Sequence, residues 1–194
     1  LAFFEDQLRY FKEHFQAVFL KEYWNIRCKK QPLIKNPIVI TLDDGFLDNW
    51  IWAFPLLKKY NLKATIFVCP ELVDLQNKIR PNLEDYWRKI VSYEEINQLG
   101  YLSWSEMKVM LDSGLIDIQS HTMSHTRYFV SDKLTGFHHP GNECLYPVGN
   151  LFPHLKPYHI LSRSFEKQIP YGYPLFEEMS SVCARRVMIN ESFI

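Results

Sequence analysis

Two short apolar runs separated by a helical segment constrain this fold more than any other feature of the sequence. Residues 38–42 and 63–68 are almost continuously apolar, which is typical of strands covered on both faces in a parallel sheet. Between them, Trp52, Leu56 and Tyr60 recur at helical spacing. A strand, a helix and a second strand within about 30 residues form a βαβ unit, so the sequence predicts an α/β fold.

Three further segments extend this pattern. Apolar residues at helical spacing predict a helix over residues 4–19, packed on the core. Residues 105–113 predict another helix, capped by Ser103 or Ser105 and ended by Gly114. Residues 115–119 predict a third strand of the same buried type. Residues 127–194 are rich in proline and glycine and predict an irregular, insertion-like region with a short helix near residues 162–167.

The charge balance and the apolar pattern exclude some classes of function. Lys and Arg number 22, as do Asp and Glu, so the chain lacks the positive excess of a nucleic-acid or polybasic membrane binder. No apolar run approaches the roughly 18 residues that a transmembrane helix needs. The first six residues contain two acids and no basic leader, so they do not predict a signal peptide. The missing initiator Met indicates a processed or trimmed product.

The first group of chemically informative residues follows the first predicted strand. Asp43 and Asp44 are adjacent carboxylates that would repel each other if both were buried unpaired. A nearby cation removes that cost, and Gly45 allows a sharp turn and the close approach of a ligand. The alternative is a solvated Asp-Asp-Gly turn, which is the more common outcome for such a motif alone.

The second group follows the third predicted strand. On a helix or tight turn His121 and His125, four residues apart, would share a face and could grip one metal ion. The alternative is two partly exposed histidines with hydrogen-bonded rings. The carboxyl ends of parallel strands share one rim, so both groups are expected there. An ion bound by one carboxylate and two imidazoles keeps coordination positions open for water and substrate, as in catalytic metal sites. The second carboxylate is then available as a general base.

These residues resemble two motifs of the polysaccharide deacetylases, the NodB-homology or carbohydrate esterase 4 family. Residues 41–45, Thr-Leu-Asp-Asp-Gly, resemble the family's Thr-Phe-Asp-Asp-Gly. Residues 121–125 resemble its His-Ser/Thr-x-x-His motif, and residues 63–68 are similar to the strand that follows the first motif. The resemblance extends from about residue 38 to residue 125.

The resemblance implies a fold, a metal and a reaction. The fold is a distorted (β/α) barrel of the NodB-homology type, with residues 1–194 forming a single catalytic domain. A divalent ion, most often Zn²⁺, would be held by Asp44, His121 and His125, with Asp43 as the base that activates a metal-bound water. The reaction is the hydrolysis of N-acetyl, or O-acetyl, groups on an acetylated polysaccharide or oligosaccharide. Such enzymes usually act at the cell envelope or outside the cell.

The later motifs of the family are not matched, and this keeps other interpretations open. Gln168 stands where the family has the Arg of Arg-x-Pro-Tyr, and His159 does not lie in a strand-like segment as the late catalytic acid would. We therefore expect the barrel to be incomplete at its C-terminal end, with exposed edges covered by partners, by a second copy or by residues after 127. The alternative function is a non-catalytic carbohydrate-binding or interaction protein that keeps the metal site. A phosphoesterase is disfavoured because no glycine-rich phosphate loop is present.

Overall fold

Two compact units make up the chain in the computed structural model: Leu1–Val68 with Val73–His121, and Cys69–Leu72 with Thr122–Ile194. The structure describes residues 1–28, 35–139, 150–158, 168–183, 185 and 187. The strands are β1 (Gln16–Ala17), β2 (Pro37–Ile38), β3 (Thr41–Leu42), β4 (Ala64–Val68), β5 (Ile116–Ser120), β6 (Arg127–Phe137) and β7 (Pro174–Ser180). The α-helices are α1 (Ala2–His14), α2 (Leu20–Cys28), α3 (Phe54–Tyr60), α4 (Leu83–Trp87), α5 (Tyr93–Ile96) and α6 (Trp104–Asp112).

A parallel ladder in the order β3-β4-β5 is the centre of the first unit. The middle strand β4 is buried along most of its length, with Ala64 and Ile66 fully buried. A π-helical turn at Asn49–Ala53 leads into α3, which places Leu56 and Leu57 in the same core. The α/β class and the parallel pairing are therefore confirmed. The described residues form no closed sheet, so a barrel is not seen in this part of the chain.

The N-terminal segment differs from its prediction, because the helix expected over residues 4–19 ends at His14. Phe15 is extended, and the next residues form β1, which pairs with β2 in parallel. The backbone N–H groups of Gln16 and Val18 donate to carbonyls of residues 36 and 38. This pairing with a distant segment satisfies backbone groups that helical periodicity alone would have assigned to a longer helix.

The helix α6 begins as the sequence predicts, with Ser103 as its N-cap. The Ser103 side chain accepts a hydrogen bond from the Glu106 N–H, and the Glu106 carboxylate accepts one from the Ser103 N–H. This reciprocal capping satisfies two helix-end donors. None of the helices described is long and apolar enough to cross a membrane.

A buried ion pair joins α6 to the segment before α4. Glu106 is 0% exposed, and its two oxygens accept from Nε and Nη2 of Arg80 at 2.8 and 2.6 Å. Arg80 also donates to the Tyr101 carbonyl at 2.7 Å, and its own carbonyl accepts from Trp50 Nε1 at 2.7 Å. Because both charges have several partners, the desolvation cost of the pair is offset. The pair thereby connects the residues before α6 to the π-helical turn.

We expect Glu106→Gln to lower the free energy of unfolding by about 2–3 kcal/mol, because it removes the nearer of the two carboxylates that pair with the buried Arg80 guanidinium and leaves it with Asp74 at 3.3 Å. Urea denaturation followed by tryptophan fluorescence measures the change. The matched control is Glu94→Gln on exposed α5, for which we expect a change within about 0.5 kcal/mol. A loss below about 1 kcal/mol for Glu106→Gln would contradict a stabilising role of the pair.

The second unit contains more regular structure than its proline content predicts. Strands β6 and β7 form an antiparallel pair with register shifts between Phe129 and Gly136. A small hydrophobic cluster packs on these strands and consists of Phe129, Ile169, Tyr173 and Phe176, of which the first and last lie in β6 and β7. Pro174 is the first residue of β7, a position that tolerates the missing N–H. The helix expected near residues 162–167 lies outside the described residues.

A buried lysine organises another part of this unit. Lys156 is 2% exposed, pairs with the Glu71 carboxylate and lies 4.8 Å from the ring centroid of Tyr128. The Tyr128 hydroxyl also donates to Glu71, at 3.1 Å. Burial opposes the ionisation of Glu71, but the hydrogen bonds and charge of Lys156 outweigh it, so the net pKa of Glu71 is lowered. The Glu71 N–H donates to the Met123 carbonyl, which ties this ion pair to the segment around residue 123.

The lowered pKa of Glu71 predicts an acid-sensitive contribution to stability. This contribution is fully present above the unfolded-state pKa of Glu, 4.5, and is lost as the pH falls through the lower folded-state pKa. At pH 7 we expect Glu71→Gln to destabilise the chain by about 1–3 kcal/mol, because Lys156 loses its charged partner. Urea denaturation at several pH values should show the difference between wild type and variant shrinking below pH 4.5. A difference that is independent of pH, or one that the exposed Asp132→Asn control reproduces, would contradict this account.

Candidate metal centre

A tight turn follows β3 and presents the two adjacent carboxylates. The Gly45 N–H donates to the Asp43 carbonyl at 2.9 Å, which closes a three-residue turn around Asp44. Asp44 has a φ of 66° and Gly45 a φ of 73°. A left-handed conformation at a residue with a Cβ costs about 1–2 kcal/mol, less for Asp than for most residues. The turn therefore needs support from its surroundings.

That support comes from the segment before α6. The Leu102 N–H donates to the Gly45 carbonyl at 2.9 Å, and the Leu47 N–H donates to the Gly100 carbonyl at 2.8 Å. The rings of Phe46 and Tyr101 stack with their centroids 5.1 Å apart. The same segment provides the Tyr101 carbonyl that Arg80 binds. Buried charge, backbone hydrogen bonds and the turn thus form one connected structure.

His121 is positioned by the neighbouring strand β4. It is the first residue after β5, and its N–H donates to the Val68 carbonyl at 2.9 Å. Val68 is the last residue of β4 and also lies against Gly45. Asp44 and His121 therefore come from the two outer strands of the ladder and meet at the carboxyl end of the middle strand, as the parallel arrangement predicts.

The side chains of Asp44 and His121 face each other at this end of the ladder. Asp44 Oδ1 lies 3.7 Å from His121 Nε2, with the Asp44 side chain 25% and the His121 side chain 33% exposed. His125, the third residue expected as a ligand, is exposed. Asp43, the other carboxylate of the turn, is exposed. The structure thus brings together Asp44 and His121, two of the residues expected as ligands, and leaves Asp43 accessible to solvent.

The two histidines do not share a helical face, which is one of the arrangements that their spacing suggests. Residues 121–125 form irregular chain after β5, and both side chains retain contact with solvent. The His121 backbone is fixed by the hydrogen bond to Val68 rather than by a helical turn. The position of His121 therefore depends on the pairing of β5 with β4, and the four-residue spacing of the two histidines alone does not fix it.

The donor set is chemically suited to a divalent metal ion. Donor atoms that share one tetrahedral ion at about 2.0–2.1 Å lie about 3.4 Å from each other. The Asp44–His121 distance of 3.7 Å is close to this value and is longer than a direct hydrogen bond. One carboxylate and two imidazoles match the protein ligands of catalytic zinc sites and also suit other divalent ions. Asp44 and His121 therefore reach the spacing of two ligands of one ion after a shift of a few tenths of an ångström.

Comparison with known proteins assigns the family. The sequence profile of the polysaccharide deacetylases matches residues 30–139, more than half of the chain. The chain is 28% identical over 123 residues to YxkH of Bacillus subtilis, a candidate polysaccharide deacetylase, covering 63% of this chain and 36% of that protein. It is 31% identical over 123 residues to the poly-β-1,6-N-acetyl-D-glucosamine N-deacetylase of Staphylococcus aureus, covering 61% of this chain and 35% of that protein. This chain belongs to the polysaccharide deacetylase family.

The chain spans about a third of the length of these curated relatives. Among solved structures, IcaB of Ammonifex degensii aligns with a TM-score of 0.49 and 26% identity, covering 82% of this chain and 61% of that one. The profile match includes both the Asp-Asp-Gly turn and the two histidines, so the family assignment and the site concern the same part of the chain.

Substitution of Gly45 tests the packing of the turn. A Cβ at this position would lie 2.9 Å from Val68 Cγ1, and φ is 73°. Gly114, with a φ of 71° and nothing within 4 Å of its Cβ position, is a matched control for backbone strain alone. We expect Gly114→Ala to cost about 1 kcal/mol and Gly45→Ala to cost about 1–3 kcal/mol more, because Val68 must move. Equal losses in urea denaturation would show that the contact with Val68 is unimportant.

Proposed function

We propose that this chain is a metal-dependent hydrolase that removes acetyl groups from an acetylated polysaccharide or oligosaccharide. The observation that carries the proposal is the Asp44–His121 pair at the carboxyl end of β4, beside the exposed carboxylate of Asp43. Family membership supports deacetylation as the reaction class. The N-deacetylase activity of the Staphylococcus aureus relative supports a polymer of N-acetylglucosamine as the substrate class.

We assign the metal to Asp44, His121 and His125, with Zn²⁺ as the preferred ion. Once bound, a divalent ion supplies positive charge that polarises an acetyl carbonyl and makes a nearby water more acidic. The half-buried Asp44 side chain suits this role, because a carboxylate that loses part of its hydration gains most from an adjacent cation. A NodB-type (β/α) barrel, with residues 1–194 forming one catalytic domain, is part of the same proposal.

We assign to Asp43 the role of general base. Its position next to a ligand residue and its exposure allow it to accept a hydrogen bond from a water molecule that lies beside a substrate carbonyl group. Asp43 accepts a proton as the water oxygen bonds to the acyl carbon. Cleavage of the carbon–nitrogen bond then yields acetate, and the sugar nitrogen takes up a proton to become an amine. The residue that donates this proton is not part of the assignment.

The competing function is a glycan-binding protein that keeps the metal site without turnover. Gln168 at the position of the family's arginine favours this alternative, since an altered late motif would weaken catalysis. In the structure, Ile169 is buried and Tyr171 is 80% exposed. Turnover separates the two functions directly, because both predict metal binding and glycan binding.

We expect the zinc-loaded chain to release acetate from a linear oligomer of N-acetylglucosamine. Asp43→Asn should lower the rate by about 10²–10⁴-fold, the range for loss of a general base, while zinc binding is retained because the ligands remain. An acetate assay combined with a zinc titration makes both measurements. Asp132→Asn, on an exposed part of β6, is the control for loss of one surface carboxylate.

The outcomes of this assay separate the assignments. Full activity in Asp43→Asn would contradict the role of Asp43 while leaving deacetylation intact. Binding of zinc and oligomer without acetate release by the wild-type chain would favour the glycan-binding function. A loss of activity in Asp132→Asn equal to that in Asp43→Asn would show that the effect is not specific to the site.

A further inference from the structure

A cavity lies beside β3, on the side of the first unit formed by α1, the π-helical turn and α5. Its volume is about 340 Å³, near the lower end of the roughly 300–1,000 Å³ typical of small-molecule sites. The lining that matters to its chemistry comprises Leu42, Asp48, Asn49, Trp52, Tyr93 and Asn97. None of these residues belongs to the set assigned to the metal.

A buried amide in this cavity indicates a ligand with an oxygen acceptor. Asn49 is 6% exposed, and no described residue accepts a hydrogen bond from its Nδ2. A buried donor without an acceptor costs about 1–3 kcal/mol, and native structures contain few of them. Asn49 lines the cavity but its Nδ2 is itself covered, so a rotation of the side chain toward the cavity would let a hydroxyl or acetamide oxygen there accept this hydrogen bond.

The remaining lining combines an aromatic wall with polar groups. The rings of Trp52 and Tyr93 lie with centroids 5.6 Å apart and an interplanar angle of 37°. Asn97 and Asp48, which are both exposed, also line the cavity. Desolvation by the groups around it raises the pKa of the Asp48 carboxyl, against a smaller opposing effect of the Asn49 N–H. The lining contains no Lys or Arg, so it does not suit phosphate or another anion.

We propose that this cavity binds one neutral hexopyranose residue of a glycan chain. A pyranose ring has an apolar C–H face that can pack on Trp52 and Tyr93, and hydroxyl or acetamide oxygens that can accept from Asn49. The side-chain oxygens of Asp48 and Asn97 can accept from its hydroxyls. The inference rests on the proposed function for the identity of the glycan, an acetylated glucosamine polymer.

The location of the cavity suits a residue adjacent to the one undergoing deacetylation. Leu42, which lines the cavity, precedes Asp44 by two residues, so their Cα atoms are at most about 7.6 Å apart. A glycan bound in the cavity therefore passes close to the turn that carries both carboxylates. The cavity would hold the polymer while the reacting residue lies at Asp43 and Asp44.

Binding to the metal-free chain tests this inference without requiring activity. The probe is the linear tetramer of N-acetylglucosamine, titrated in EDTA and followed by ¹H–¹⁵N chemical-shift changes. We expect the largest changes in residues 48–53 and 93–97. Tyr93→Ala and Asn97→Ala, both at exposed positions, should each weaken binding by about three- to tenfold. Tyr10→Ala, at an exposed tyrosine that does not line the cavity, should bind as the wild type does.

Each failure has a separate signature. Absence of tetramer binding, or shift changes confined to residues 43–45 and 121–125, would overturn the cavity assignment even if acetate is released. Unchanged affinity in both Tyr93→Ala and Asn97→Ala would overturn it as well. Binding in the cavity with no acetate release from the zinc-loaded chain would support the cavity assignment and contradict the proposed enzymatic function.

Discussion

The candidate site depends on the carboxyl end of one buried strand, β4. The Val68 carbonyl at this end accepts the His121 N–H, and the Val68 side chain occupies the space that a Cβ on residue 45 would need. One residue therefore fixes the backbone of a histidine and restricts the neighbouring turn to glycine. Because β4 lies between β3 and β5, the groups that follow those two strands are brought to its end. Strand pairing, rather than local helix geometry, positions Asp44 and His121.

The turn around Asp44 has an unfavourable backbone conformation, and the rest of the first unit compensates for it. The Leu102 and Leu47 backbone hydrogen bonds hold the residues on either side of Phe46, and the Arg80–Glu106 ion pair holds the segment from which Leu102 comes. Strained residues persist only where the surrounding structure over-determines them. The Arg80–Glu106 ion pair thus stabilises the site indirectly. Arg80 binds the Tyr101 carbonyl, and the neighbouring Leu102 N–H holds the turn at Gly45.

The sequence predicted those parts of the fold that depend on local patterns. The apolar runs at residues 63–68 and 115–119 are local signals, and they correspond to β4 and β5. The Ser103 cap is also a local signal, and it marks the start of α6. The break after His14 and the pairing of β6 with β7 depend on segments far apart in the sequence, so periodicity could not reveal them. The motifs predicted which residues are candidates for the site. The contact of Val68 with Gly45 and the cavity beside Asn49 required coordinates. A polar residue, Asn49, at the start of the apolar run 50–57 was the available signal for the cavity.

The central claim is that Asp44 and the two histidines bind one divalent ion, and a metal titration tests it most directly. Calorimetric titration of the EDTA-treated chain with Zn²⁺ should give one site per chain, which Asp44→Ala and His121→Ala abolish while circular dichroism shows that both variants remain folded. His14→Ala, at an exposed histidine on α1, should bind as the wild type does. Folded Asp44→Ala and His121→Ala variants that bind zinc with unchanged stoichiometry and affinity would contradict the account.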